Sequence, residues 1–190
     1  MSPLQYVVLL PVAAGVIFFL FPRKSRTAPG ILSVLVTGAA LFFSIQLFLT
    51  EEGTLIQPLV TDTLALGVAG GRPVSGLLQL RADPLSRIIV LFTCFFGFLF
   101  SLYSLSYMRG HKRVSHYYSL YLITIGASAG AALADHLLLF ITFWGVLGLT
   151  LYKMIDSRNE GGAAAAKKSF ILIGASDSVV IFGIGLLWVM

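Results

Sequence analysis

The chain has 190 residues, of which 57% are hydrophobic and 11% charged, with a net charge of +5 and a mean hydropathy of +0.93. A soluble domain carries about 25% charged residues, and here too few polar residues remain to cover a globule, so a soluble monomer is excluded. The single cysteine, Cys94, excludes an intrachain disulfide, a cysteine-ligated iron–sulfur cluster and a CxxC redox motif.

Apolar runs and their polar breaks predict six membrane-spanning helices. A spanning helix uses about 20 residues, so six of them with short loops fill this length. The first covers 4–21 and ends at Pro22-Arg23-Lys24. It lacks a basic n-region ahead of it, which argues against a cleavable signal peptide. The second covers 29–50 and stops at Glu51-Glu52-Gly53. The 51–83 segment is the one sizeable extramembrane piece. Thr54 to Leu59 and Val74 to Arg81 partly alternate, and Gly67, Gly70, Gly71 and Pro73 punctuate the stretch between them. That pattern predicts a β-hairpin-like element, too small to fold alone, resting on helix ends or a partner.

The third helix covers 84–107, with Pro84 at a favourable first position. Cys94, inside its apolar run, reads as a buried small hydrophobe. The fourth helix covers 117–134 and carries Gly126, Gly130 and Ala134 at four-residue spacing, which lets helices approach closely. Asp135-His136 then makes a tight turn into the fifth helix, 137–155, where Trp144 falls mid-helix and is expected to fill a core position. The sixth helix covers 164–189. The fold class is therefore an all-α membrane protein, a single transmembrane domain with about six helices and one small extramembrane hairpin between the second and third.

The basic residues are unevenly placed. Arg23, Lys24, Arg26, Arg109, Lys112, Arg113, Lys153, Arg158, Lys167 and Lys168 fall on one side of this map, and Arg72, Arg81 and Arg87 on the other. The positive-inside rule then puts both termini outside the cytoplasm. It also accounts for the net charge without a nucleic acid partner. The expected location is a bacterial or archaeal cytoplasmic membrane, crossed several times.

Charge inside a bilayer is costly, so each buried ionisable residue is a functional candidate. Asp177 is the sharpest. It lies mid-span, and its nearest charged neighbour in the chain, Lys168, is nine residues away. An aspartate at a helix centre costs about 2.5–3.5 kcal/mol on insertion scales. It is expected to face the bundle interior, either as a proton or cation relay or as a hydrogen-bonded helix clamp helped by Ser176 and Ser178. Lys168 points to nearly the opposite face, about 13 Å along the axis, so the two cannot form a direct salt bridge. Lys168 divides between an anchor and a role at the inner mouth of a polar path. Lys167 is expected to snorkel, and Lys153 to snorkel or pair with Asp156. At the outer side, Asp83 and Arg87 fit a helix start or an i,i+4 pair. Asp135 and His136 fit a solvated turn or a proton uptake point. His111, His116 and His136 all fall off the membrane midplane, which argues against a bis-histidine haem. No nucleophile–base arrangement, phosphate-cradling glycine loop or metal-ligand spacing is visible, which weakens any reading as an independent small enzyme or carrier.

Four local patterns resemble the antiporter-like membrane subunits, which include chain 5 of respiratory complex I, membrane-bound hydrogenases, Mrp-type cation/proton antiporters and inorganic-carbon uptake complexes. Asp83-Pro-Leu-Ser86 looks like the family's Asp-Gly-Leu-Ser helix start. Ser106-Tyr-Met-Arg-Gly110 matches its Tyr-Met-Arg-Gly exit. Ala134-Asp-His-Leu-Leu-Leu139 is similar to its Ala-Asp-Asn-Leu-Leu-Leu turn. Ala165-Ala-Lys-Lys168-Ser-Phe170, followed by Asp177, resembles its Ala-Ala-x-Lys-Ala-Phe…Asp pattern.

The resemblance implies the N-terminal part of a proton- or cation-translocating subunit in a larger complex. Its partners would be the bilayer, other membrane subunits, and protons or Na+ as the moved ions. The chain would hold no cofactor; any quinone, NADH or iron–sulfur site would lie in partner subunits. It would be at most a non-redox, ion-translocating subunit. In the family a glutamate follows the helix-five tryptophan and pairs with a lysine on a seventh helix. Here Gly145 follows Trp144, and the chain stops before a seventh helix, as in a truncated or split subunit. Asp177, Lys168 and Lys153 remain the relay candidates. The alternative is a structural subunit with no ion path of its own.

Overall fold

A computed structural model describes residues 2–20, 28–50, 53–59, 78–108, 114–156 and 162–189, with side chains up to 186. Six helices and two strands follow in the order α1 (Pro3–Leu20), α2 (Ala28–Leu49), β1 (Leu55–Pro58), β2 (Gln79–Ala82), α3 (Pro84–Tyr107), α4 (Val114–Leu133), α5 (Leu137–Asp156) and α6 (Gly162–Val189). Five of these helices are long and apolar enough to cross a membrane, α4 being the exception among the described residues. The protein is a multi-pass integral membrane protein. Most of the basic loop residues, Arg23 to Arg26, Arg109 to Arg113 and Arg158, lie outside the described residues. So do Glu51, Glu52, His111, Glu160 and the 60–77 stretch of the outer loop.

The placement of α4 explains why it is the least apolar helix. It packs against α1, α2, α3 and α5, with its closest association on α1. Little of it faces lipid, so it needs small and hydroxylated side chains more than greasy ones. Helices in lipid gain from tight packing and interhelical hydrogen bonds, because lipid tails are as apolar as leucine. A Cβ on Gly126 would stand 2.5 Å from Val12 Cγ2 and 2.9 Å from the Val8 carbonyl. One on Gly130 would meet the Phe143 ring at 2.5 Å. The small-residue stripe thus serves two neighbours, α1 through Gly126 and α5 through Gly130. Gly15 of α1 answers it, with Ser119 donating to the Gly15 carbonyl at 2.7 Å.

The interior is correspondingly polar. Ser33, Thr37, Ser44, Ser101, Ser104 and Ser119 are buried. Ser33 and Ser101 join α2 to α3 at 3.4 Å, Ser104 and Tyr117 join α3 to α4 at 3.1 Å, and Tyr121 donates to the Gly97 carbonyl. Satisfying these groups internally is what a low-dielectric surrounding requires. Large apolar residues such as Ile17, Leu35, Phe92 and Phe100 face outward instead. Cys94 is buried, as a small hydrophobe should be.

The hairpin lies where the sequence places it, between α2 and α3. It pairs Leu55 with Ala82 and Gln57 with Leu80 in antiparallel register. Leu80 and Ala82 are fully buried against Leu4, Val7, Leu133 and Leu139, while Arg81 between them points out. The α4–α5 turn extends the sheet. Ala134 bridges Leu80, and the Asp135 amide donates to the Gln79 carbonyl at 3.1 Å. Gln5, buried in the first turn of α1, donates from Nε2 to the Pro58 carbonyl at 2.7 Å. A two-stranded ribbon is marginal by itself, and these contacts pin it to three helices.

Candidate functional site

Asp177 sits on the narrow stripe of α6 that meets α5. Gly162, Ala166, Ser169, Ile173 and Asp177 recur along that stripe at helical spacing and, with Gly174 and Ile184, are the buried or half-buried residues of α6 whose side chains are described, whereas Lys167 and Lys168 are exposed. Asp177 and Lys168 therefore do face different ways. The carboxylate accepts a hydrogen bond from the Trp144 indole, Nε1 to Oδ1, at 2.7 Å. Its other oxygen faces Gly148 of α5, 3.9 Å from where a Cβ there would stand. Trp144 and Gly148 are one helical turn apart, so one face of α5 supplies both the donor and the space.

Trp144 corrects an expectation. It does not fill a core position but is 42% exposed, lying along the edge of the α5–α6 pair. The physical reason is its amphipathic ring. An indole has an apolar body that lipid or a partner tolerates and one N–H that needs an acceptor, and Asp177 is the acceptor within reach. Gly145, next along, points into open space, with nothing within 4 Å of a Cβ built there. No packing constraint keeps that position a glycine.

The other candidates are scattered. Lys153, in the last turn of α5, places Nζ 5.7 Å from the Tyr152 ring centroid. On the hairpin side, Asp83 is the N-cap of α3 and accepts from the Ser86 amide at 2.8 Å. Ser86 holds the Asp83 carboxyl below its usual range, and Arg81 adds to this through its charge. Asp135 forms an ion pair with Arg81 at 3.5 Å, and His136 Nδ1 accepts from the Leu138 amide at 3.2 Å. The structure gathers Asp83, Arg87, Asp135 and His136 at the hairpin end, and leaves Lys153, Lys167 and Lys168 at the opposite end of the α5–α6 pair. Asp177 stands between these ends, close to none of them in sequence or along its helix.

Arg87 was a sequence candidate, but its partners escaped sequence reading, and Gln5 escaped it altogether. Arg87 is buried, and its guanidinium donates to the carbonyls of Thr50, at 2.6 Å, and Gly53. It thereby closes the C-terminal end of α2, where carbonyls lack partners and the helix dipole favours a cation. Its hydrogen-bond partners lie 34 and 37 residues back along the chain, so no local pattern marks them. For Gln5, a polar side chain in the first turn of an apolar helix was the only signal. Among the described residues, no group of three His, Cys, Asp or Glu side chains could hold a metal ion.

The arrangement of helices and motifs can now be set beside known proteins. The family described as NADH-Ubiquinone oxidoreductase (complex I), chain 5 N-terminus, matches residues 75–118, which span β2, α3 and the start of α4. The F(420)H(2) dehydrogenase subunit L of Methanosarcina mazei is 27% identical over 93% of this chain and 25% of its own length. The NADH-quinone oxidoreductase subunit L of Escherichia coli is 28% identical over 99% of this chain and 31% of its own. The chain is a relative of the antiporter-like membrane subunits. It corresponds to the N-terminal region of such a subunit and spans about a quarter of the length of the relatives it matches. A probable inorganic carbon transporter subunit DabB of Bacillus subtilis is 32% identical over 62% of this chain. The fold agrees with a chain of the membrane-bound sulfane sulfur reductase, an archaeal respiratory membrane complex. The TM-score is 0.75 at 20% identity, covering 99% of this chain and 28% of that one.

Proposed function

We propose that this chain supplies the first six helices of a proton- or cation-translocating path in a larger membrane complex, with Asp177 as its protonatable group and Trp144 as the residue that holds it. The observation that carries the reading is the Trp144–Asp177 hydrogen bond on the open α5–α6 pair. A carboxylate at mid-span is costly, and a chain that needed only a helix clamp could use uncharged hydroxyls, as Thr124 and Thr150 do between α4 and α5 at 3.0 Å. The Trp144 donor is uncharged, so no ion pair with it would have to break in a relay through this carboxyl. Lys168 and Lys153 would serve the basic end of the path, and Asp83, Arg87, Asp135 and His136 the hairpin end. Both termini lie outside the cytoplasm in this reading. Redox centres, quinone and NADH sites belong to partner subunits.

Gly145 favours a second reading. By the motif resemblance Gly145 stands where the family has a glutamate, and in this reading the chain works as an assembly subunit and Asp177 only joins two helices. One experiment separates the two. Asp177→Asn in the assembled complex keeps an acceptor for Trp144 but cannot ionise. The relay reading expects normal assembly with proton translocation into vesicles reduced at least tenfold. Unchanged translocation at normal assembly would sink it, and loss of assembly together with translocation would favour the structural reading. Trp144→Phe removes the donor, and the relay reading expects it to shift the pH dependence of translocation while assembly is kept.

A further inference from the structure

We propose that the basic end of the α5–α6 pair is a binding site for one anionic phospholipid, with an acyl chain in a recess between the two helices and the phosphate on Lys167. The proposal does not depend on how Asp177 is used. The recess has a volume of about 370 Å³ and is lined by Leu149 and Tyr152 of α5 and by Lys167, Phe170 and Ile171 of α6. That volume lies in the range of small-molecule sites, roughly 300–1,000 Å³. Its walls are apolar except for the Lys167 ammonium and the Tyr152 hydroxyl, both within the last or first two turns of their helices. The charge thus sits at one end, at headgroup depth, and the greasy walls run from it toward the bilayer centre.

The surroundings favour a lipid over a further helix. Tyr152 meets Phe170 edge-on at 5.3 Å, and Lys153 lies over the Tyr152 ring. Bulky side chains at that point hold a neighbouring backbone away, whereas close helix contacts need small residues. The glycines of α6 that meet open space, Gly174, Gly183 and Gly185, all lie farther toward its other end. Lys167 lines the recess, and Lys153 and Lys168 are exposed on the same end of the helix pair; an ammonium at the mouth of an apolar recess suits a phosphodiester. Basic pockets between transmembrane helices are the usual seat of anionic headgroups.

Native mass spectrometry of the purified full chain tests this, with dioleoyl-phosphatidylglycerol and dioleoyl-phosphatidylcholine supplied in equal amounts. The phosphatidylglycerol should be retained preferentially. Lys167→Gln should weaken its retention about fivefold, and Lys167→Arg should restore it. Leu149→Trp should displace the lipid while leaving every charge in place; Leu149 is 54% exposed, so the larger side chain enters the recess without disturbing a core. Equal retention of the two lipids, or phosphatidylglycerol retention untouched by Leu149→Trp, would overturn the site. So would a Leu149→Trp variant that changes only the oligomeric state, which would assign the recess to a second copy of the chain.

Discussion

The first four helices with their hairpin, and the last two helices, are built on different plans. In its most apolar stretch α1 buries 39% of its residues, whereas α5 buries 11% and α6 none. The first region is closed: its described helix glycines touch neighbours, hydroxyls such as Ser33, Ser101, Ser104 and Ser119 reach across helices, and its helix ends are tied to the hairpin. Among the described residues the second is held to the rest chiefly through α5, by Leu139, Thr150 and the Phe143–Gly130 contact. It also carries the mid-span carboxylate. A membrane protein can leave a helix face open to lipid at little cost if that face is apolar. An open face that carries an aspartate is different, because lipid cannot satisfy it. The closed region thus reads as the scaffold and the open one as the place where ion, lipid or partner is met.

That contrast can be broken by mutation. The largest effect is expected at Gly126, where Leu would collide with the Val8 carbonyl and Val12. Gly126→Leu should destabilise the chain by about 3 kcal/mol or more, read as a large drop in the thermal midpoint in detergent. Arg87→Met should follow, at about 2–3 kcal/mol, since it strips two carbonyls of a charged donor. Limited proteolysis in the hairpin should rise with it.

Asp83→Ala should cost about 1 kcal/mol, the usual worth of an N-cap. Its sign with pH is defined. The folded Asp83 carboxyl lies below its unfolded value of about 3.9, so its contribution is present above that value and is lost as pH falls through the folded value. The mutant and the parent should therefore converge in acid, measured by unfolding across the pH range. The smallest effect is expected at Gly183, which points into open space. Gly183→Leu should change stability by no more than about 0.5 kcal/mol. A large loss there would mean that α6 is as closed as α1 and would erase the distinction between the regions.

Much of this organisation was legible in the residues. Apolar runs of about 20 residues can only be satisfied as spans, so the helix count follows from composition and its interruptions. The hairpin followed from alternation and the glycines around it. Asp177 stood out because it lies mid-span with no nearby charge. Gly126 and Gly130 announced close packing, because four-residue spacing puts them on one helix face. Those features are local, and the chemistry of a short stretch determines them.

What only the tertiary structure decided is who meets whom. Trp144 was placed in a core by its position along α5, yet it lies at an edge, because the helix rotates to aim its N–H at Asp177. Arg87 caps a helix whose end lies far back along the chain, and Gln5 reaches a strand 53 residues away. Gly126 and Gly130 look alike in sequence but serve different helices. The amino-acid sequence by itself determined a six-helix membrane protein with one conspicuous carboxylate, since burial and backbone hydrogen bonding in lipid leave few other solutions. The partners of that carboxylate, and the open face on which it stands, depend on helix rotation and on contacts across long sequence separations, which no local periodicity encodes.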